Sequence, residues 1–257
     1  MTERRIILPT IRNCRDLGSL KTADGHHIKM NHLLRSAELS EASQDDLLTM
    51  HNEHRLNCVI DLRTNMEYDQ RPDASIKQIE NLHLPVFNDA SEGITHEKKG
   101  GSHSRQIPID MAGTYENIMR NPHLLKNLSV IINTIMSHDY SSGSVLWHCT
   151  EGKDRCGITA MLLLLALGVD YSVIAEDYLI TNEVNEAKAN AYYDYLITIR
   201  RSEEEAQAVY DAFIAKKEYL DRSYAVICES EDIYHFFNDK LGITRKTIEA
   251  FRNTVLE

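Results

Sequence analysis

The sequence predicts an α/β fold, and three observations carry that prediction. Val145-Leu146-Trp147 reads as a buried strand that leads through a short polar loop into an apolar helix pattern over 158–167. The first third of the chain alternates short apolar runs with turn and helix signals. Everything after Pro122, the last of five prolines, reads as mostly helical.

Taken in order, residues 6–36 read as strands and turns, with Asp24-Gly25 as a hairpin signal. A short helix is expected over 43–52, where Ser43 and Asp46 have capping-box spacing. A strand over 58–62 ends in Asp61-Leu62-Arg63, and another over 79–86 is stopped by Pro85. Residues 88–110 are a long polar loop containing Gly100-Gly101, of the kind that lies near a site. Asn121-Pro122 starts a helix to about 138, whose Leu124, Leu125, Leu128, Ile131, Ile132 and Ile135 recur at helical spacing and belong to the core. The 158–167 helix ends near Gly168, a natural residue to follow a helix terminus. Residues 185–220, rich in Glu, Ala, Lys and Tyr, read as a lightly packed helical pair, and Leu241-Gly242-Ile243 precedes a terminal helix. With no repeat and no low-complexity linker, 1–257 reads as a single domain.

Composition narrows the function classes. Hydrophobic content of 42% with 26% charged residues is ordinary for a soluble globular chain. A formal net charge of −11 argues against nucleic acid or an anionic membrane as a bulk-electrostatic partner. Five cysteines without framework spacing point to a reducing compartment. The first nine residues have no apolar core for a signal peptide, and the apolar stretch 161–169 is far short of the roughly 20 residues a membrane span needs. A cytoplasmic location is expected; export by a route without a cleavable signal stays open.

The chemistry concentrates in His148-Cys149-Thr150-Glu151-Gly152-Lys153-Asp154-Arg155-Cys156-Gly157. A loop between a buried strand and a helix N-terminus offers free N–H groups and partial positive charge to an anion. A cysteine there should have a pKa lowered to roughly 3.5–7.5. Arg155 adds a planar fork matched to two phosphate oxygens, and Gly152 permits tight curvature. The alternative is an inert core cysteine, which leaves Lys153, Asp154 and Arg155 unexplained. No G-x-x-x-x-G-K-[ST] nucleotide loop is present.

At these residues the chain resembles the tyrosine phosphatase superfamily. The Gly-Lys-Asp-Arg ending is similar to a bacterial atypical branch that acts on phosphoproteins and, in some members, phosphoinositides. Asn13-Cys14-Arg15-Asp16-Leu17-Gly18 resembles that branch's N-F-R-D-L-G signature. Asp24-Gly25, Leu34-Arg35-Ser36-Ala37-Glu38-Leu39 and Val59-Ile60-Asp61-Leu62-Arg63-Thr64 follow in its order, so the resemblance spans about 10 to 180. It implies a central sheet flanked by helices, with a helical C-terminal portion in which 185–222 can serve as a lid; an ordinary surface hairpin is the alternative. Two departures stand out: Cys14 replaces Phe, and Cys156 replaces the Thr or Ser after the arginine, whose hydroxyl normally assists the thiolate or phosphoenzyme hydrolysis.

The expected reaction begins with attack by Cys149 on phosphorus, with Arg155 and loop N–H groups stabilising charge. Thr150, Glu151, Gly152, Lys153, Cys156 and Gly157 form the phosphate-binding loop. Asp154 is the first candidate acid and base; Asp61, Asp89 and Asp110 are the others. Lys153 would widen the positive pocket, which the resemblance links to lipid substrates. His148 is expected to orient the loop, while Asp16, Arg35, Asp61 and Arg63 either support it or form buried ion pairs. No cofactor or metal is expected: His51 with His54, and His26-His27, lack ligand partners, and no H-E-x-x-H occurs. Phosphoprotein or phosphoinositide is the expected partner. Arsenate reduction, sulfur transfer and a silent phosphate-binding module are the competing readings.

Overall fold

The computed structural model describes residues 4–87 and 110–257. Its sheet is built from β1 (Arg15–Asp16), β2 (Leu33–Ser36), β3 (Leu56–Asp61), β4 (Glu80–His83) and β5 (Ser144–His148), in the spatial order β1-β2-β5-β3-β4. Only β1 runs antiparallel to its neighbour; β2, β5, β3 and β4 are mutually parallel. A central parallel strand is covered on both faces and therefore reads as continuous apolar sequence. That is why Val145-Leu146-Trp147 is legible. Successive side chains then alternate faces. Val145 and Trp147 enter the larger core, and Leu146 enters the smaller one with Leu34, Val59, Leu47 and Met50.

Helix α1 (Gln44–His54) covers the smaller face. The larger core is filled by α4 (Pro122–Met136), α5 (Asp154–Leu167), α6 (Tyr171–Leu179), α9 (Lys217–Ile227), α10 (Ile233–Leu241) and α11 (Arg245–Val255). Helix α5 is buried all round, with Met161 through Leu164 without exposed surface. Each such Leu contributes about 1.5–3 kcal/mol by burial. Gly168 ends α5 at φ +82°, and Gly242 ends α10 at φ +64°.

Several boundaries differ from expectation for local reasons. Helix α5 starts at Asp154, not 158, because its first turn carries polar residues that conceal the helical period. The Ser43 hydroxyl caps α1 by accepting from Asp46 N, but the Asp46 carboxylate accepts from Thr10, so the reciprocal half of the box is not made. Strand β4 is only Glu80–His83; Leu84 and Val86 still donate to Asp61 and Leu62, but Pro85 has no N–H to give. Two further short helices are α2 (Asn65–Gln70) and α3 (Met111–Arg120). The pair expected over 185–220 is α7 (Asn182–Thr198) and α8 (Glu203–Phe213), turned at Arg200 with φ +60°. The predicted 88–110 loop, with Asp89, lies outside the described residues except for Asp110. No helix among the described residues is long and apolar enough to cross a membrane.

Parallel register places Ser36, His148, Asp61 and His83 in one row at the carboxyl ends of β2, β5, β3 and β4. In open parallel sheets this edge is where ligands bind. Cys149 follows directly.

Candidate active site

A loop that turns its N–H groups inward to an anion must turn its carbonyls outward, where each needs a donor. The loop between β5 and α5 has that outer ring. His148 Nδ1 lies 3.3 Å from Cys149 O, and Glu38 N donates to Thr150 O at 3.2 Å. Asn13 Nδ2 donates to Glu151 O at 3.0 Å. Arg35 Nη2 donates to Gly152 O at 2.8 Å, and Gly157 N donates to Lys153 O at 2.7 Å. Gly152 has φ +67°, and a Cβ there would stand 2.5 Å from Ser36 O, so the loop can approach β2 only with glycine. Asp177 holds the donors in place: it pairs with Arg15, Arg35 and Arg4, while Arg15 fixes Asn13 Oδ1 at 2.7 Å.

Cys149 is buried at the start of this loop. Burial alone would push its thiol up, but hydrogen bonding from the Cys156 side chain, the Arg155 charge and a bond from Cys156 N–H outweigh it, bringing the pKa down to about 6. Burial and the same interaction with Cys149 push the Cys156 thiol well above its ordinary value, so it serves as a protonated donor.

Arg155 makes a two-pronged bond with Glu67, at 2.6 and 2.9 Å, and donates to Thr150 Oγ1 at 3.1 Å. The Thr150 hydroxyl donates to Glu67 as well, at 2.7 Å. Burial opposes ionisation of Glu67, but the Arg155 charge and these bonds hold it well below the usual carboxylate range. Glu67 belongs to a capping box with Thr64 at the start of α2, so helix formation itself aims the carboxylate.

His148 Nε2 stands 2.8 Å from Asp73 Oδ2 and 3.9 Å from Asp61 Oδ1. Burial would discharge the ring, but Asp61 and Asp73 raise its pKa. Asp61, Asp73 and His148 are spaced as metal ligands could be. The Arg63 guanidinium already sits between the two carboxylates, at 2.7 and 2.8 Å, and reaches Glu38 at 3.0 Å. A cation there would be the second positive centre, or the third with His148 protonated.

Other expected residues have different neighbours. Asp154, in the first turn of α5, accepts from the buried Tyr115 hydroxyl at 2.6 Å. Asp61 is occupied by Arg63; burial opposes its ionisation, but His148 and Arg63 lower its pKa, which suits a counter-ion rather than an acid. Asp110 caps α3 from an exposed position. Asp16 fastens the turn at Gly18 and Asn31 and has no bond to the loop. Glu151 turns its side chain to Lys188 of α7 at 2.5 Å and Arg12 at 3.2 Å. Lys153 does not extend into the anion cradle. Its buried ammonium donates to the carbonyls of Ala212 and Ile214 at the end of α8, and lies 3.3 Å from Asp154 Oδ1. His51 and His54 bond Leu56 O and Asn31 Oδ1 and do not converge.

A model of the tyrosine phosphatase family matches residues 6–257. The chain belongs to that family. It is 30% identical over 178 residues to a Cupriavidus necator protein provisionally named a tyrosine-protein phosphatase, covering 68% of this chain and 62% of that one. The triple specificity protein phosphatase PtpB of Mycobacterium tuberculosis is 28% identical over 197 residues, covering 68% of each chain. The chain therefore spans a little under two thirds of the first of these relatives. Solved structures of Pseudomonas aeruginosa TpbA and of PTPMT1 align over 78% of this chain, and over 89% and 99% of their own, at 14% and 15% identity. Their TM-scores of 0.28 and 0.35 add nothing to the family match.

Within the family frame, Cys14 is a packing residue: it is buried on the smaller face of the sheet with Sγ 4.0 Å from Met50 Sδ. Sequence reasoning missed Glu67, Asp73, Tyr115, Tyr178 and Asp177. Thr64-x-x-Glu67 is a readable capping box; nothing in one sequence says that its carboxylate also meets Arg155.

Proposed function

We propose that this chain is a cysteine-dependent phosphatase, hydrolysing phosphate monoesters of tyrosine-phosphorylated proteins, phosphoinositides or both through a phosphocysteine intermediate. The observation that carries the reading is a buried Cys149 at the start of a loop whose Thr150, Glu151 and Gly152 carbonyls are tied to donors outside it, from Glu38, Asn13 and Arg35. In the first step the Cys149 thiolate forms the S–P bond as the P–O bond to the alcohol breaks, and Asp154 protonates the departing oxygen. Water then attacks phosphorus, giving its proton to Asp154, and the S–P bond breaks to return thiolate and inorganic phosphate. Arg155, anchored by Glu67, and the loop N–H groups stabilise the equatorial oxygens.

Helices α7 and α8 serve as a cover for the loop, and the Lys188–Glu151 and Lys153–α8 contacts support that role. For Lys153 to meet a second phosphate, as a phosphoinositide presents, it must first leave α8. All five cysteines are free, in keeping with a reducing, cytoplasmic setting.

The test is phosphate release from a phosphotyrosine peptide, a phosphoserine peptide and several phosphoinositides, with wild type and Cys149→Ser. Release that disappears in the variant supports the reading, and the ranking gives the substrate class. Release that persists in Cys149→Ser, or none from any substrate while phosphate analogues still bind, overturns it.

A further inference from the structure

Three helices each send a tyrosine to the N-terminal turn of α5. Tyr115 comes from α3, Tyr178 from α6 and Tyr219 from α9. Tyr115 and Tyr178 are buried, and their hydroxyls lie 2.7 Å apart. The Tyr115 hydroxyl is also 2.6 Å from Asp154 Oδ1. Packing alone would be served by phenylalanine, since a buried hydroxyl costs free energy unless it is bonded. These hydroxyls form a chain that ends on one oxygen of one carboxylate.

From this geometry we infer that Tyr115, backed by Tyr178, is a positioning residue for Asp154: it occupies Oδ1 and leaves Oδ2 to carry the proton to and from the reacting oxygen. The inference rests on the assignment of Asp154 as the acid and base. A carboxyl group that first donates and then accepts a proton must keep its unreactive oxygen satisfied in both states. Tyr115 can donate to Oδ1 of the carboxylate and, more weakly, to the carbonyl oxygen of the neutral acid, and Tyr178 donates in turn to Tyr115. The chain is therefore compatible with both half-reactions without rearrangement.

The surroundings fix the geometry. Ser223 Oγ donates to Tyr115 O at 2.8 Å, tying α3 to α9 at this residue. Gly157 lies against Tyr178, where a Cβ would come within 2.9 Å of the ring. Lys153 also approaches Oδ1, at 3.3 Å. Among the described residues no hydrogen bond reaches Oδ2; the Tyr115 bond and the Lys153 ion-pair contact both fall on Oδ1.

The test compares kcat for wild type, Tyr115→Phe, Asp154→Asn and the double variant, on phenyl phosphate and on 2,4-dinitrophenyl phosphate. Tyr115→Phe should lose roughly tenfold or more on phenyl phosphate, which needs an acid, and little on the activated ester. In the Asp154→Asn background the Tyr115 change should cost nothing further. Tyr178→Phe, which leaves the direct bond in place, should show the same pattern at smaller size. Equal losses on both esters, or a Tyr115 loss that persists beside Asp154→Asn, would make Tyr115 a packing residue and overturn the inference. If Asp154→Asn itself does not discriminate between the esters, the acid assignment fails and the inference with it. If Cys149→Ser keeps turnover, the phosphatase reading fails instead.

Discussion

The Glu67 carboxylate and the Arg155 guanidinium face each other through two hydrogen bonds of 2.9 and 2.6 Å. Such a pair fixes the plane of the guanidinium as well as its position. It commits Nη1 and Nη2 to Glu67 and also engages Nη2 with Thr150. The loop arginine is therefore set before substrate arrives.

The first prediction concerns Glu67→Gln. Glutamine at the third helical position keeps the capping box, so α2 should survive. What is lost is the charge and one of the two acceptors facing Arg155. A small misplacement of a transition-state group can cost about a hundredfold, and kcat should fall by about that much with unchanged far-UV circular dichroism. A kcat within twofold of wild type would show that Arg155 does not depend on Glu67.

The thiol of Cys149 gives a pH prediction. Its pKa is lowered from 9.0 to about 6, so the nucleophile is protonated below pH 6 and thiolate above it. Alkylation by iodoacetamide should rise with pH and reach half its plateau near 6. The linked stability has a definite sign: a depressed acid pKa stabilises the fold fully above the unfolded value, near 9, and the contribution is lost as pH falls through 6. The difference in Tm between wild type and Cys149→Ser should therefore shift in favour of wild type from pH 6 to 9. An alkylation midpoint near 9 would mean that burial cancels the Cys156 and Arg155 contributions.

How much of this was legible in the sequence follows from how local each interaction is. The β5–loop–α5 unit could be read because a central strand and a buried helix both leave unbroken apolar runs, and the polar residues between them are contiguous. Asn13 and Arg35 stood in recognisable motifs, but their tasks were not readable: they donate to loop carbonyls 138 and 117 positions away. Tyr115 is a core residue whose hydroxyl reaches Asp154, and a helical period is blind to hydroxyls. The place of Lys153 is illegible for a related reason. A lysine in an anion loop suggests a phosphate contact, whereas α8 ends close enough to take its ammonium first.

That displacement of Lys153 leads to a prediction about dynamics. Its ammonium bonds the final carbonyls of α8, where the helix dipole favours a cation. Bonds to a charged donor contribute about 1.5–3 kcal/mol each. Lys153→Met should raise amide exchange across 203–213 by roughly ten- to a hundredfold while leaving α5 protected. If exchange in α8 is unchanged, the lysine does not hold the helix.

Cys156 is the last case, because it occupies a position where the resemblance implies a hydroxyl. Its thiol donates to Cys149 and also lies 3.8 Å from Ser36 O and 3.9 Å from Trp147 O, so one weak donor has three acceptors near it. A threonine hydroxyl is the stronger donor, and Cys156→Thr should raise turnover by roughly fivefold, the value of about one net hydrogen bond. If a phosphocysteine forms as proposed and its breakdown limits turnover, the pre-steady-state burst should shrink in the same variant; unchanged turnover would sink the idea. The same proximity has a redox consequence. Hydrogen peroxide converts the Cys149 thiolate to a sulfenic acid, and attack by the Cys156 sulfur then expels water and forms a disulfide. Peptide mapping after mild peroxide should find residues 149 and 156 joined and activity restored by dithiothreitol. Recovery only of Cys149 sulfinic acid would mean that the loop cannot bring the two sulfurs into bonding geometry.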